Sequence, residues 1–355
     1  MLNKTFGATL IVAGTTIGAG MLALPLQAHH TNFTTNVLLM LCIWLWMIYS
    51  ALETIELFLE HPKEKTLPQL AQKLLGPVGK WLSIVSFVGL HYSLLAAYTA
   101  GSSDILSLWL PRELSYFLFI ASSAILISTA YKSVDIVNRF LFFTKILTFA
   151  VLVFYLLPQT GIPTLEKVKL DTVSGSLISI FFTSFGFHGS IPVLINYIGH
   201  DRKQLQRVFI IGSLIPLFVY IIWMWIVFGG LASIPNTLDA LIQELSRINW
   251  LCKILVNCFS LLAILTSFLG VAMALFDLNY HALNKRKLFT TLTTFIPPLL
   301  FVMFYPAGFV FALRYAAAAL ATFAIILPFS MQWIKTRSVA STLLILSGLF
   351  IVFCG

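Results

Sequence analysis

An all-α polytopic membrane protein with eleven transmembrane helices is the fold class this sequence predicts, and three observations predict it. Of its 355 residues, 59% are hydrophobic and only 10% charged, with a mean hydropathy of +0.94; soluble domains carry about 25% charged residues. Apolar runs of about 20 residues, the length that crosses a bilayer as a helix, recur along the whole chain. Two of those runs are interrupted by Gly and Pro at corresponding places in the two halves of the sequence. A transmembrane barrel would show short alternating strands instead. Residues 1–355 therefore read as one membrane domain, with no room for a soluble one.

The first run, 5–26, contains the stretch GTTIGAGMLALP. It could be mistaken for a signal peptide, but ten further spans follow and its interior is Gly-rich, so it is expected to be retained. The second span, 36–58, carries Glu53 and Glu56 near its end. Residues 61–80 are polar and include the amphipathic TLPQLAQKLLG, expected at the membrane surface. The third span, 81–110, stops at Pro111; the fourth is 114–131. The fifth, 139–157, stops at Pro158, and 159–171 is a polar linker. The sixth, 173–198, is interrupted by SFGFHGSIP, and HDRKQLQR connects it to the seventh, 208–231. In the loop 232–250, Leu238, Leu241, Ile242 and Leu245 share one helical face, so a short surface helix is expected. The eighth span is 251–279. A basic NKRK turn precedes the ninth, 288–305, where Pro297 and Pro298 are expected to kink the helix. The tenth is 307–331 and the eleventh 338–354.

The net charge of +9 could suggest acidic or nucleic-acid partners, but its placement argues otherwise. Counted on alternate sides of these spans, fifteen Lys and Arg fall on the side of Lys4 and five on the other, with Lys145 and Arg314 inside spans. That bias puts the N-terminus in the cytoplasm and the C-terminus outside. The four cysteines have no zinc-site spacing, and no structural disulfide is expected. Spans one to five (5–158) and six to ten (173–331) form two sets of five. Five is odd, so the second set enters from the opposite side: an inverted repeat, with 338–354 as an extra C-terminal helix.

Each set opens with an interrupted span. In the first, Gly14, Gly18 and Gly20 fall within seven residues, and Gly in a helix interior costs about 1 kcal/mol each. Gly14-x-x-x-Gly18 could equally let two intact helices pack closely. The second interruption, 184–192, favours a break, because paired Gly/Pro-interrupted segments in the two halves mark a transporter site. Non-helical backbone at membrane depth is tolerated where it lines a cavity or is buried in protein.

These two segments, GTTIGAGMLALP and FTSFGFHGSIPVLINY, resemble the first and sixth helices of the hydroxy and aromatic amino acid permeases, bacterial carriers for tyrosine, tryptophan or serine and threonine. The resemblance covers nearly the whole chain by span count and spacing, although the chain is shorter than expected. It implies a leucine-transporter-like 5+5 inverted repeat with helices 1 and 6 discontinuous. Physically, such a pair suits an α-amino acid. A half-helix starting near Gly20 offers free N–H groups to a carboxylate; half-helices ending near Gly14 and Ser184 offer carbonyls to an ammonium. The motif match assigns the carboxylate to backbone at Thr16, Gly18, Ala19 and Gly20, beside Thr15. It assigns the amine to carbonyls at Phe185, Gly186 and Gly14. Phe185, Phe187, Tyr92 and Tyr98 could wall an aromatic side chain, in a chain with 31 Phe where any one aromatic is unremarkable. His188 could bond a phenol or indole, or could simply be a packed histidine. Asp104, Asp277, Arg314 and His91 read as interface or capping groups, and Asn257 and Ser260 are weak cavity candidates.

Lys145 lies six residues beyond Arg139, about 9 Å deeper at 1.5 Å per residue. An ammonium there must snorkel, find partners or lose its proton. In sodium-coupled relatives of this fold, paired hydroxyls on the eighth helix and carbonyls early in the first hold the ion; Thr266, Ser267, Ala13 and Gly14 are the matching residues. In some proton-coupled relatives a fifth-helix lysine takes the sodium's place. The expectation is therefore a proton-driven symporter of the bacterial inner membrane, importing an aromatic amino acid, tyrosine first. Thr266 and Ser267 leave sodium coupling open. The expected partners are the amino acid, the coupling ion and membrane lipid, with no cofactor, metal or nucleic acid. The alternatives are a tryptophan or serine/threonine carrier, or an amino-acid-sensing receptor that does not transport. A channel would need a patterned filter, and an enzyme a catalytic cluster such as HExxH or GxSxG; neither is found.

Overall fold

The computed structural model describes residues 4–354, with side chains described outside 130–136 and 354. Lys132, counted above among the charges on the side of Lys4, and Cys354 fall outside those side chains.

The first span is two helices, α1 (Lys4–Thr16) and α2 (Gly20–Ala28), bent by 46° across residues 17–19. Asn32 caps α3 (Phe33–Glu60) by accepting the Thr35 N–H, satisfying one of the donors a helix start leaves free. α4 runs Leu67–Leu106, but Gly76 at φ 73° followed by Pro77 splits it into the amphipathic first turns and the third span. Leu67, Leu70 and Ala71 are buried against the protein, so the expected surface segment is docked rather than free.

α5 is assigned without interruption from Arg112 to Leu156. Its 45 residues measure about 68 Å at 1.5 Å each, enough for two crossings. The sixth span is α6 (Gly175–Ser184) and α7 (Ile191–Ile198), joined by the irregular Phe185–Phe187 and a 3-10 turn, His188–Ser190. Then come α8 (Arg202–Gly230), the short α9 (Leu238–Ser246), α10 (Trp250–Ala282) and α11 (Lys287–Phe304). The tenth span is α12 (Phe309–Ala321), a π turn (Thr322–Ile326) and α13 (Leu327–Thr336). α14 is Val339–Cys354.

Among the described residues, eight helices are long and apolar enough to cross a membrane, or nine with the bent pair α1–α2 counted as one. Eleven is not reproduced by that measure. Within the long α5 only 137–159 is counted, leaving 114–131 out, and α14, at 16 residues, spans about 24 Å against the roughly 30 Å of a hydrocarbon core.

Proline explains several contacts between spans. Each Pro in a helix frees the carbonyl four residues before it, and in a membrane that carbonyl needs another donor. Tyr92 Oη donates to Thr293 O at 2.8 Å, the carbonyl freed by Pro297; α11 continues unbroken through both prolines. Ser50 Oγ donates to Ala324 O, freed by Pro328 at the π turn. At the end of α3, Glu53, Glu56 and Glu60 reach Gln332, Arg202 and Lys335 respectively, tying α3 to the start of α8 and the end of α13. At the opposite end the linker folds back, with Asn32 Nδ2 donating to Lys167 O and Lys169 N–H donating to Thr35 Oγ1. The expected short helix α9 exists, and Leu238, Leu241, Ile242 and Leu245 are all buried. They pack toward α10, α4 and α2, so α9 caps the spans rather than lying on lipid.

Candidate functional site

The site is where the two interrupted spans meet. α1 ends at Thr16, whose hydroxyl, like that of Thr15, turns back onto Val12 O. Ile17 N–H still bonds Ala13 O, and helical bonding resumes with Met21 to Gly18 O and Leu22 to Ala19 O. The N–H groups of Gly18, Ala19 and Gly20 make no backbone hydrogen bond. They are a cluster of free donors at the positive end of α2, three of the four positions predicted to face a carboxylate. Thr16 presents its carbonyl instead of its amide.

Each glycine also admits a neighbour. A Cβ on Gly20 would stand 3.0 Å from Ser184 Oγ and 3.3 Å from Ser184 Cα, so the start of α2 lies directly against the end of α6. A Cβ on Gly14 would come within 2.9 Å of the Phe142 ring of α5, and one on Gly18 would collide with Ser267 Oγ of α10. Helix interruption and close packing, the two readings of GTTIGAG, are thus both realised. Gly186 likewise leaves room for Leu320 of α12, 3.1 Å from a built Cβ.

The other face of the junction is made of carbonyls. Tyr220 of α8, fully buried, donates from one hydroxyl to Thr16 O at 2.6 Å and Ser184 O at 2.8 Å. Its ring packs edge-on to Phe185 at 5.2 Å. The last carbonyls of α1 and α6, both negative helix ends, are therefore joined through one phenol. Gly186 N–H closes onto Thr183 O, and Phe185 O accepts from Phe187 N–H.

Lys145 is 1% exposed and points into the first break. Its Nζ donates to Ile17 O at 2.6 Å and to Thr266 Oγ1 at 3.1 Å, and lies 4.9 Å from the Phe142 ring. Thr266 Oγ1 donates a hydrogen bond to Leu262 O, and Ser267 Oγ donates one to Ala263 O. Lysine and hydroxyl thus meet as expected, but through Ile17 rather than Ala13 or Gly14.

His188 is buried with neither ring nitrogen hydrogen-bonded, and it stacks on Phe187. It lines a cavity of about 10 Å³ with Thr54, Phe58, Leu67, Pro192 and Phe323, room for about one water. Tyr92 is not brought to this junction. It borders a separate cavity of about 460 Å³ with Pro297, Pro298, Phe301 and Tyr315. Asp104 pairs with Arg112 at 2.8 Å, His91 bonds Phe87 O, and Asn257 bonds Lys253 O, all structural uses. Tyr220 and Ile17 were missed by sequence reasoning. Tyr220 left a signal: a lone phenol in the apolar LFVYIIWMW must find a partner at membrane depth.

Helical spans broken at paired places, with free amides and carbonyls converging on one point, define a membrane transporter of the discontinuous-helix kind. A crystal structure of a manganese transporter from Eremococcus coleocola matches 99% of this chain and 84% of its own, with a TM-score of 0.62 at 14% identity; that likeness shows the leucine-transporter-like fold alone. The tryptophan/tyrosine permease family matches residues 1–353, and the chain belongs to it. A tyrosine-specific transport system of Haemophilus influenzae is 37% identical, covering 96% of this chain and 90% of its own length. A glutamine transporter of Aliivibrio fischeri is 32% identical over 92% of this chain and 88% of its own.

Proposed function

We propose that this chain imports an aromatic amino acid, tyrosine first, across a bacterial inner membrane by proton symport and alternating access. The observation that carries the reading is the junction itself. Unbonded N–H groups at Gly18–Gly20 lie beside the end carbonyls of α1 and α6, the complement of a zwitterion that must be held away from water. Phe185 and Phe187 supply aromatic wall beside it. Membership of the family and the tyrosine system named above support the aromatic side chain; the glutamine transporter marks the competitor. In this reading 5–158 and 173–331 are the inverted repeats, and the positive-inside bias sets the N-terminus in the cytoplasm.

Lys145 is proposed as the coupling group. Its amine stands between a carbonyl of the first break and a hydroxyl of α10, so its proton state and the geometry of the break are one equilibrium. The neutral amine takes up a proton with the outward site open, and the resulting ammonium releases it to the cytoplasm with the inward site open. A lysine nitrogen already bonded to Ile17 O and Thr266 favours this over a sodium ion there. The test is uptake into vesicles under an imposed pH gradient, without sodium, with competition by all twenty amino acids. Proton-driven uptake competed best by tyrosine or tryptophan is expected. Sodium dependence would remove the coupling scheme, and best competition by serine or glutamine would remove the substrate class.

A further inference from the structure

Tyr220 lies outside every residue assigned to substrate or ion so far, yet it touches both broken spans. The two carbonyls it reaches, Thr16 O at 2.6 Å and Ser184 O at 2.8 Å, are the terminal residues of α1 and α6. A phenol carries one proton and two acceptor lone pairs. It therefore cannot fully satisfy both carbonyls, each of which has two lone pairs and a negative helix end behind it. What the three oxygens lack is donors. Tyr220 Oη lies within hydrogen-bond distance of both Thr16 O and Ser184 O, and Thr16, Ser184, Tyr220 and the Phe185 packed on its ring are all buried.

We infer that Tyr220 is a positioning and specificity residue for the substrate's α-ammonium group, an inference that rests on the amino acid reading above. The hydroxyl fixes the spacing of the two carbonyls by bridging them. An ammonium brings three donors and supplies what the phenol cannot: one N–H to each carbonyl and one to Tyr220 Oη. A primary ammonium is accepted because three oxygens await three protons. A ligand without the amine leaves these oxygens short of donors, and such unpaired buried acceptors give the strongest discrimination a site can show. The residue lies in the middle of α8, a helix continuous from Arg202 to Gly230, so the bridge is held by a rigid element rather than by the broken spans themselves.

The experiment is a cycle of binding measurements on the purified full-length protein in lipid nanodiscs. L-tyrosine and its deaminated counterpart, 3-(4-hydroxyphenyl)propionate, are titrated against wild type and Tyr220→Phe. The expected result is that wild type prefers tyrosine strongly and that Tyr220→Phe narrows the preference about tenfold, the coupling a double cycle reports for groups in contact. A purely structural tyrosine would weaken both ligands by the same factor and leave the preference unchanged, which overturns the inference while leaving the amino acid reading standing. Failure of wild type to bind any L-amino acid overturns both. Should Tyr220→Phe fail to fold, 3-fluorotyrosine placed at 220 keeps ring and hydroxyl while weakening the oxygen as an acceptor. The preference for tyrosine then falls if the inference holds and stays fixed if it does not.

Discussion

Gly18→Ala tests whether the first break is set by close packing on α10. A Cβ built on Gly18 collides with Ser267 Oγ, while the next atom, Ser267 Cβ, lies at 3.4 Å, an ordinary contact. Adding one methyl against this half-buried hydroxyl forces a shift of helix or rotamer, and overpacking of this kind costs about 1–3 kcal/mol. That is roughly a five- to hundredfold loss in the folded-to-unfolded ratio. The offending atom is a single oxygen, so removing it should relieve the clash. Ser267 Oγ bonds only Ala263 O of its own helix, so Ser267→Ala alone should cost about 1 kcal/mol or less. The double variant is therefore predicted to be more stable than Gly18→Ala alone. The assay is thermal unfolding of the four proteins in one detergent, combined as a cycle. Additive losses, with no recovery in the double variant, would refute the reasoning: Gly18 would then be needed for its backbone rather than for room.

Other expectations follow from the same geometry. Lys145→Met keeps the aliphatic stem but removes the donor to Ile17 O and Thr266; tyrosine exchange should persist while the response of uptake to a pH gradient disappears, measured in vesicles. Tyr92→Phe should cost about 1–3 kcal/mol of stability by orphaning the Thr293 carbonyl that Pro297 frees, with tyrosine affinity unchanged by titration. Hydrogen bonds from Lys169 and then Asn32 hold the Glu166 carboxyl below its ordinary range. A depressed carboxylate pKa contributes stability that is complete above the unfolded value and fades as pH falls through the folded one. Hydrogen exchange should therefore show the 159–171 linker losing protection on acidification below the usual carboxylate range, and a Glu166→Gln protein should lack that step.

The membrane class, the two interruptions and the meeting of Lys145 with Thr266 were legible in the sequence, because each is a local departure from apolar monotony. A lysine, a triple glycine or an SFGFHGSIP stretch is conspicuous inside a hydrophobic run. What was not legible depends on which faces of the helices meet. Tyr92 sits in the expected third span, yet its hydroxyl serves a proline two hundred residues away, a pairing no periodicity announces. Tyr220 was missed: it is one phenol in an apolar run, and its two acceptors are backbone oxygens, which no residue type marks. The span count was limited for another reason. Of the long α5 only 137–159 qualifies as a span, and α14 is too short to qualify by itself.

The central claim, that the junction carries an amino acid across the membrane, is tested most directly by counterflow. Purified protein is reconstituted into vesicles loaded with unlabelled L-tyrosine and diluted into a trace of labelled L-tyrosine, with no ion gradient imposed. A carrier that alternates access accumulates label transiently above its external concentration, and that overshoot is the predicted result. Saturable binding of labelled tyrosine with no overshoot would contradict it and identify the protein as a receptor that binds without transport.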